Sequence, residues 1–353
     1  MSLLRRLTAA PQQSSPADAP LPVAHETPPS YPADTAAVHV LAQDGVVRLD
    51  DGQLLVRGAD GAEARLRLGD VAQVSLHGLA AITTPCVMTL MGRGIPVVYR
   101  TVSGYYAGQT IDLAGALTAT RRAHYAAAAD PVRRIAVARA IVTTKLTNAR
   151  YVLRRRSLAP ATVARLATLV RQASVAEAHA SLLGIEGSAA ALYFAAMPDM
   201  IAPGLRASFP FAGRRRRPPT DPLNALLSYL YAVLTGECAT ALLAAGLDPM
   251  VGFLHVERAG RPALALDLVE PLRPLVADTL AMGLINRGEL AGDHFTRDGD
   301  AVRLTDAGRR IVLTGLERRM NQSDLRRRLA ADANGLATAL RRGTDYVPAL
   351  AEG

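Results

Sequence analysis

The chain has 353 residues, half of them hydrophobic and a fifth charged, with a formal net charge of +9 and a pI near 10.0. That is enough apolar content for a buried core and enough length for about two domains, so a disordered or fibrous chain is excluded. The positive balance points to a polyanionic partner, with nucleic acid the default. Cys86 and Cys238 stand far apart with no CxxC pair. This excludes a zinc-cysteine site and a disulfide framework and predicts reduced thiols in a cytoplasmic protein. No apolar run of 18 residues is free of charge or helix breakers, and no apolar region follows Arg5-Arg6, so neither a membrane span nor a signal peptide is expected.

Residues 1–36 are rich in Pro, Ala and Ser and lack periodic apolar positions, which predicts a disordered extension. From Val38 the texture becomes short alternating runs divided by Asp44-Gly45, Asp51-Gly52 and Asp60-Gly61, dipeptides that favour hairpin turns. Strands are expected near 38–42, 46–49, 53–57, 63–68 and 72–76. Thr84-Pro85 opens a short helix that Gly92 and Gly94 end, and two further strands follow at 95–100 and 105–111. Residues 37–112 carry 6 Arg against 7 acidic residues, whereas 113–353 carry 32 Lys plus Arg against 21. The polyanion should therefore meet the C-terminal two-thirds.

Past Leu113 the period becomes helical. Asp130-Pro131 is an N-cap with proline at N1, and Ile135, Ala138, Val142, Leu146, Ala149 and Leu153 form one stripe. Arginines and Lys145, the one lysine of the chain, occupy other faces of that helix, either as a solvated face or as phosphate contacts. A second amphipathic helix is predicted from Val163 to about Ala180. Then comes a lone acid, Glu186, among glycines and alanines; it is either a charge favoured by a helix N-terminus or a buried ligand. Arg214, Arg215, Arg216 and Arg217 before Pro218-Pro219 predict a displayed basic loop, either solvated or gripping phosphates. Asp221-Pro222 caps a long apolar helix ended by Gly246. Helical segments over 263–286, a hairpin turning at Asp298-Gly299, a Thr305-capped helix and a final helix carrying Arg326–Arg328 complete the chain.

The strongest chemistry lies in Gly252-Phe253-Leu254-His255 and in Leu266-Asp267-Leu268-Val269-Glu270-Pro271-Leu272-Arg273-Pro274. An imidazole and two carboxylates among apolar residues must be paired or metal-bound to be tolerated. In a helix Asp267 and Glu270 share a face, and Pro271 predicts a break directly after Glu270. They either cap and salt-bridge locally or point at one cation. Two carboxylates and an imidazole without thiols would suit Mg or Mn.

Five motifs occur in one order: Gly94-Ile95-Pro96-Val97-Val98-Tyr99 after the strand-rich region, Glu186-Gly187-Ser188-Ala189-Ala190, the run from Arg217 to Tyr231, Gly246-Leu247-Asp248-Pro249 with Gly252–His255, and Leu266–Pro274. Together they resemble the CRISPR-associated integrase family Cas1 over about residues 37–320. The resemblance implies a metal-dependent DNA endonuclease and integrase that inserts spacers into a CRISPR array, working on double-stranded DNA with a small Cas2 partner and as a homodimer. It implies Glu186, His255 and Glu270 as ligands of Mg2+ or Mn2+, with Asp267 beside the ion or just behind it. The implied fold class is α+β: a small N-terminal β-rich dimerisation domain, 37–112, then a larger all-α catalytic domain, 113–340, and a polar tail, 341–353. Two alternatives stand beside it, a structural DNA-binding subunit of the adaptation complex and a metal-dependent nuclease on other nucleic acids. His124 stands where the family often has glutamine, which bears on a DNA contact.

Overall fold

The structure, a computed structural model, describes residues 35–58, 61–111, 117–215 and 218–351. The extension expected over 1–36 lies outside these apart from Thr35 and Ala36, as do Arg216, Arg217 and the expected domain boundary at 112/113. Ten strands and ten α-helices are described: β1 Ala36–Val40, β2 Val46–Asp50, β3 Gln53–Arg57, β4 Glu63–Arg67, β5 Val71–His77, β6 Ala81–Ile82, α1 Thr84–Gly92, β7 Val97–Arg100, β8 Tyr106–Gln109, α2 Thr118–Ala129 and α3 Pro131–Arg155. They continue with α4 Pro160–Ser174, α5 His179–Ala196, α6 Pro222–Ala244, α7 Ala263–Val269, α8 Thr279–Asn286, β9 Phe295–Asp298, β10 Ala301–Leu304, α9 Asp306–Gln322 and α10 Leu325–Arg342.

The first eight strands form two four-stranded sheets, ordered β1-β5-β7-β8 and β4-β3-β2-β6. The β2–β3 hairpin pairs Asp50 with Gln53 and turns through Asp51 at φ 48 and Gly52 at φ 71, the left-handed pair that a tight two-residue turn requires. Strand β5 is buried along its whole length between parallel neighbours β1 and β7. Its two faces differ. Val74 and Leu76 join a core with Val47, Leu54, Leu90 and Val97, while Gln73, Ser75 and His77 turn the other way toward the helices.

Those buried polar groups meet α6. Glu237 accepts from Gln73 at 2.6 Å, from Arg100 Nη2 at 3.0 Å and from Arg326 Nε at 3.2 Å. Arg100 Nη1 also donates to the Val233 carbonyl at 3.0 Å. Room for its guanidinium comes from Gly236, where a Cβ would lie 2.2 Å from Arg100 Nη1. Arg326 continues to Glu317 at 2.7 and 3.0 Å, and Glu317 takes the His39 ring at 3.2 Å and the Ala37 amide at 3.0 Å. Burial alone would raise the Glu317 carboxyl, but the His39 hydrogen bond and the Arg326 charge bring it down to about 2. Because its folded value is depressed, its stabilising contribution is present above the unfolded carboxylate range and is lost as pH falls toward 2.

The helical part is organised around α6, which is mostly apolar and buried nearly throughout. By length and composition α5, with the 3-10 turn that follows it, and α6 are the two described helices long enough to cross a membrane; α6 is instead the core helix. Its N-cap is Asp221, whose side chain accepts the Asn224 amide, just as Asp130 caps α3 and Thr305 caps α9.

Four expectations need correction. The C-terminal part is mostly rather than entirely α, because β9 and β10 pair across Gly299-Asp300 and Val302 N donates to Pro219 O at 2.8 Å. The helix predicted from 163 to 180 is two, α4 and α5, separated at Val175–Ala178 without a Gly or Pro to mark it. The break expected directly after Glu270 comes one residue earlier, α7 ending at Val269, while Glu270 itself keeps helical dihedrals at φ −57 and ψ −47, and the chain then makes a π-helical turn, Arg273–Asp278, before α8. The terminal segment is no free polar tail: Tyr346 donates to Asp332 at 2.9 Å, and Leu350 is buried with its carbonyl bound by Asn148 at 2.9 Å.

Replacing Glu237 with Ala would leave Arg100 and Arg326 buried without their shared counter-charge. Breaking a buried pair from one side costs about 3–5 kcal/mol, so denaturant unfolding of Glu237→Ala is expected to show a loss of that order, with the midpoint lowered and the slope unchanged.

Candidate metal centre

Asp267, in the last turn of α7, is fully buried and every lone-pair direction of its carboxylate is used. Oδ2 accepts the Phe253 and Leu254 amides at 2.7 and 2.9 Å; Oδ1 accepts the His255 amide at 2.9 Å and His255 Nδ1 at 2.7 Å. The loop can wrap this closely because residue 252 is glycine, where a Cβ would sit 2.9 Å from Ala263 Cβ and 3.0 Å from Asp267 Oδ2. The loop carbonyls are held as well, Val251 by His124 at 2.9 Å, Phe253 by Arg134 at 3.1 Å and Leu254 by His179 at 2.9 Å. His255 is thus presented on a fixed backbone with Nδ1–H given to Asp267, leaving the Nε2 lone pair facing Glu270 Oε1 at 3.7 Å.

Glu270 sits at the helix break with 2% of its surface exposed. Oε1 forms an ion pair with Arg273 Nη1 at 2.6 Å, and Oε2 lies 2.6 Å from Lys145 Nζ yet has no well-directed hydrogen bond. Burial pushes this carboxyl up, but the charges of Arg273 and Lys145 outweigh it and hold it at about 2. It is a carboxylate at neutral pH. Lys145 also pairs with Glu186 from α5, so one ammonium stands between the two glutamates. Around Glu186, Gly184 and Gly187 leave open space where side chains would be.

The structure therefore brings Glu186, His255, Asp267 and Glu270 into one cluster. Among the described residues no three acid, histidine or cysteine side chains close into a ready ligand set, because the Lys145 ammonium fills the gap between the glutamates. The residues nevertheless suit a hard divalent cation. Glu270 Oε2 is a buried oxygen lacking a directed donor, the Nε2 lone pair of His255 faces the same carboxylate, and Glu186 lines the opposite side. Asp267 has no capacity left to bind an ion directly; it orients the imidazole, as outer carboxylates do in metal sites.

Three expected nucleic-acid contacts stand differently. Lys145 is not a surface cation but the internal partner of Glu186 and Glu270. Arg214 is not displayed: it binds Asn224 Oδ1 at 2.6 Å and Ser228 Oγ at 3.0 Å and lies over the Tyr231 ring at 5.2 Å, three α6 residues sharing one helical face. His124 is buried and shapes the loop before His255, packing on Phe253 with ring centroids 5.6 Å apart. Arg215 is exposed, and Arg216 and Arg217 lie outside the described residues.

Sequence reasoning missed Arg273, which charges Glu270 and stacks over Tyr231 at 4.7 Å, and Asn148, which donates to Pro271 O at 2.9 Å and fixes the break. It also missed Asp278, buried and bound by Tyr193 and Tyr231 at 3.0 and 2.6 Å. Burial lifts this carboxyl to about 6 against both tyrosine hydrogen bonds.

Comparison with known proteins gives the family. Residues 38–318 match the family model of CRISPR associated protein Cas1, and the chain belongs to that family. It is 40% identical over 305 residues to a CRISPR-associated exonuclease Cas4/endonuclease Cas1 fusion of Rhodospirillum rubrum, covering 84% of this chain and 52% of the relative. The chain thus spans about half the length of that fusion. A CRISPR-associated endonuclease Cas1 of the same organism is 38% identical over 77% of this chain and 83% of its own. Among solved structures, a Cas6-RT-Cas1–Cas2 complex superposes with a TM-score of 0.75 at 26% identity, over 92% of this chain and 37% of that one.

Asp267→Asn would turn an amide toward backbone N–H groups that need an acceptor. Hydrogen exchange is expected to speed up at the Phe253, Leu254 and His255 amides while α6 amides stay protected; unchanged protection of the loop would show that Asp267 does not hold it.

Proposed function

We propose that this protein is a metal-dependent DNA endonuclease and integrase that joins spacer DNA to a CRISPR array by attack of a 3′-hydroxyl on a phosphodiester. Glu186, His255 and Glu270 would hold Mg2+ or Mn2+. The observation that carries the reading is the convergence of those three side chains, with Asp267 fixing the imidazole and Glu270 kept ionised despite burial. A bound divalent cation neutralises charge on non-bridging phosphate oxygens and makes a hydroxyl nucleophilic.

The chain's own groups have separable tasks. Asp267 keeps the proton of His255 on Nδ1, so Nε2 remains a donor atom for the site. Arg273 holds Glu270 in place through Oε1 and leaves Oε2 turned toward Lys145 and Glu186. The glycines beside Glu186 let a sugar-phosphate backbone approach that helix without meeting side chains. The excess positive charge of residues 113–353 supplies long-range attraction for DNA.

Double-stranded DNA and a Cas2 partner fit this reading, supported by the Cas1–Cas2 assembly named for the structural relative. We assign homodimerisation to the strand-rich region of residues 37–112, which is nearly neutral and carries the open strand edge β4.

With purified protein, its small partner, a short duplex and a repeat-bearing plasmid, strand transfer is expected only with Mn2+ or Mg2+. Glu186→Ala, His255→Ala and Glu270→Ala should each reduce it to background with the fold intact, because ligands of one ion act as a unit. Activity retained in any two of them would overturn the ligand set. Light scattering at micromolar concentration should give twice the chain mass; a monomer mass would refute the dimer.

A further inference from the structure

Between α5, α6 and the π-helical turn lies a carboxylate that the metal centre does not use. Asp278, 1% exposed, accepts the Tyr231 hydroxyl on Oδ1 at 2.6 Å and the Tyr193 hydroxyl on Oδ2 at 3.0 Å. Both tyrosines are buried as well. Burial lifts the Asp278 carboxyl to about 6, so at neutral pH it is the carboxylate form that takes up both hydroxyls. The three side chains come from three elements, Tyr193 from α5, Tyr231 from α6 and Asp278 from the last position of the turn.

Each tyrosine leads to one of the two glutamates. Tyr193 stands seven residues after Glu186 on α5, two turns on and on the same face, so a shift of the helix at the tyrosine moves the glutamate with it. The Tyr231 ring lies against the Arg273 guanidinium, with Arg273 Cζ 4.7 Å from the ring centroid, and Arg273 Nη1 in turn meets Glu270 Oε1 at 2.6 Å. Arg273 Nε is buried with no hydrogen-bond partner among the described residues, so the ring takes a large part in placing this guanidinium. The π-helical turn makes the double contact possible. Arg273 opens it and Asp278 closes it, and an i→i+5 repeat brings two such residues to one side, where an α-helix would set them about 140° apart. Arg273 therefore meets the face of Tyr231 while Asp278 holds its hydroxyl.

Lys145 also spans the two glutamates, but its ammonium rides on a flexible four-carbon stem that can follow either of them. A tyrosine is stiffer, and here both are buried at the ring and tied at the hydroxyl. We infer that Asp278 is a positioning residue, which through Tyr193 and Tyr231 sets the separation between Glu186 and the Glu270–Arg273 pair and so tunes how tightly the cluster takes a divalent cation. The inference rests on that cluster being a metal site.

Two readouts on the full chain test this, one without metal and one with it. In metal-free protein the Nε–H resonance of Arg273, identified by its loss in Arg273→Lys, reports where the guanidinium lies relative to the Tyr231 ring. Calorimetric titration with Mn2+ reports the state of the cluster. Tyr231→Phe keeps the ring and removes its tie to Asp278; it should shift the Arg273 resonance and weaken Mn2+ binding about 10–100-fold, the range for groups that orient metal ligands. Tyr193→Phe should weaken Mn2+ binding to a similar degree. Tyr346→Phe is the matched control, because Tyr346 is also buried and donates at 2.9 Å to a buried carboxyl raised to about 6, that of Asp332. It should lower the denaturant midpoint as much as the other two and change neither readout. Asp278→Asn, which keeps the volume, repeats both measurements should a phenylalanine variant unfold. An unmoved Arg273 resonance in Tyr231→Phe would overturn the role, as would an equal loss of Mn2+ affinity in Tyr346→Phe. So would undiminished Mn2+ affinity in both Tyr231→Phe and Tyr193→Phe. If the parent itself takes up no Mn2+ while the resonance still shifts, the metal reading fails and the positioning of Arg273 stands.

Discussion

One carboxylate with four hydrogen bonds sets the geometry on which the rest of the centre depends. Asp267 gathers three successive amides and an imidazole, so the loop from Gly252 to His255 has a single conformation available to it. Ionised acceptors make hydrogen bonds roughly twice as strong as neutral ones, and here they act in a site without exposure. The loop carbonyls are taken by His124, Arg134 and His179, which come from α2, α3 and α5. The loop is therefore irregular in conformation without being loose, since few of its polar groups are left to seek water.

A second constraint is the balance of charge at low dielectric. Glu270 is buried deeply enough that burial alone would favour its neutral form, and the combined fields of Arg273 and Lys145 reverse that. The same logic governs Glu317 between the sheets and the helices, where the His39 hydrogen bond and the Arg326 charge oppose burial. Asp278 shows the other outcome: two tyrosine hydroxyls do not offset burial, and its carboxyl titrates near 6. Hydrogen bonds from neutral donors and full counter-charges thus lead to opposite protonation behaviour within one helical core.

How far the sequence revealed this depends on the range of the interaction. Hairpin turns at Asp51-Gly52 and helix starts at Asp130, Asp221 and Thr305 were legible because each is decided within a few residues. A break beside Glu270 was legible from Pro271, but the helical dihedrals that Glu270 keeps were not. The gap between α4 and α5 was not, since no Gly or Pro marks it and the helical period runs across it. Candidate site residues could be nominated from motifs, but Lys145 read as surface charge because its partners are 41 and 125 positions away. Arg214 looked like one of four equivalent arginines until Asn224, Ser228 and Tyr231 of the next helix were seen to receive it.

The π-helical turn from Arg273 to Asp278 acts as a phase shift. A wider turn holds about one residue more than an α-turn, so everything beyond it is rotated by close to 100° relative to a continuous α-helix. Glu270 precedes the shift and Arg273 opens it, while Thr279, Gly283 and Arg287 follow it. The angle between the carboxylate cluster and the face of α8 that carries Gly283 and Arg287 thereby depends on the backbone path of one turn. Removing one residue from that turn would leave both sets of side chains chemically complete while pointing them along different directions.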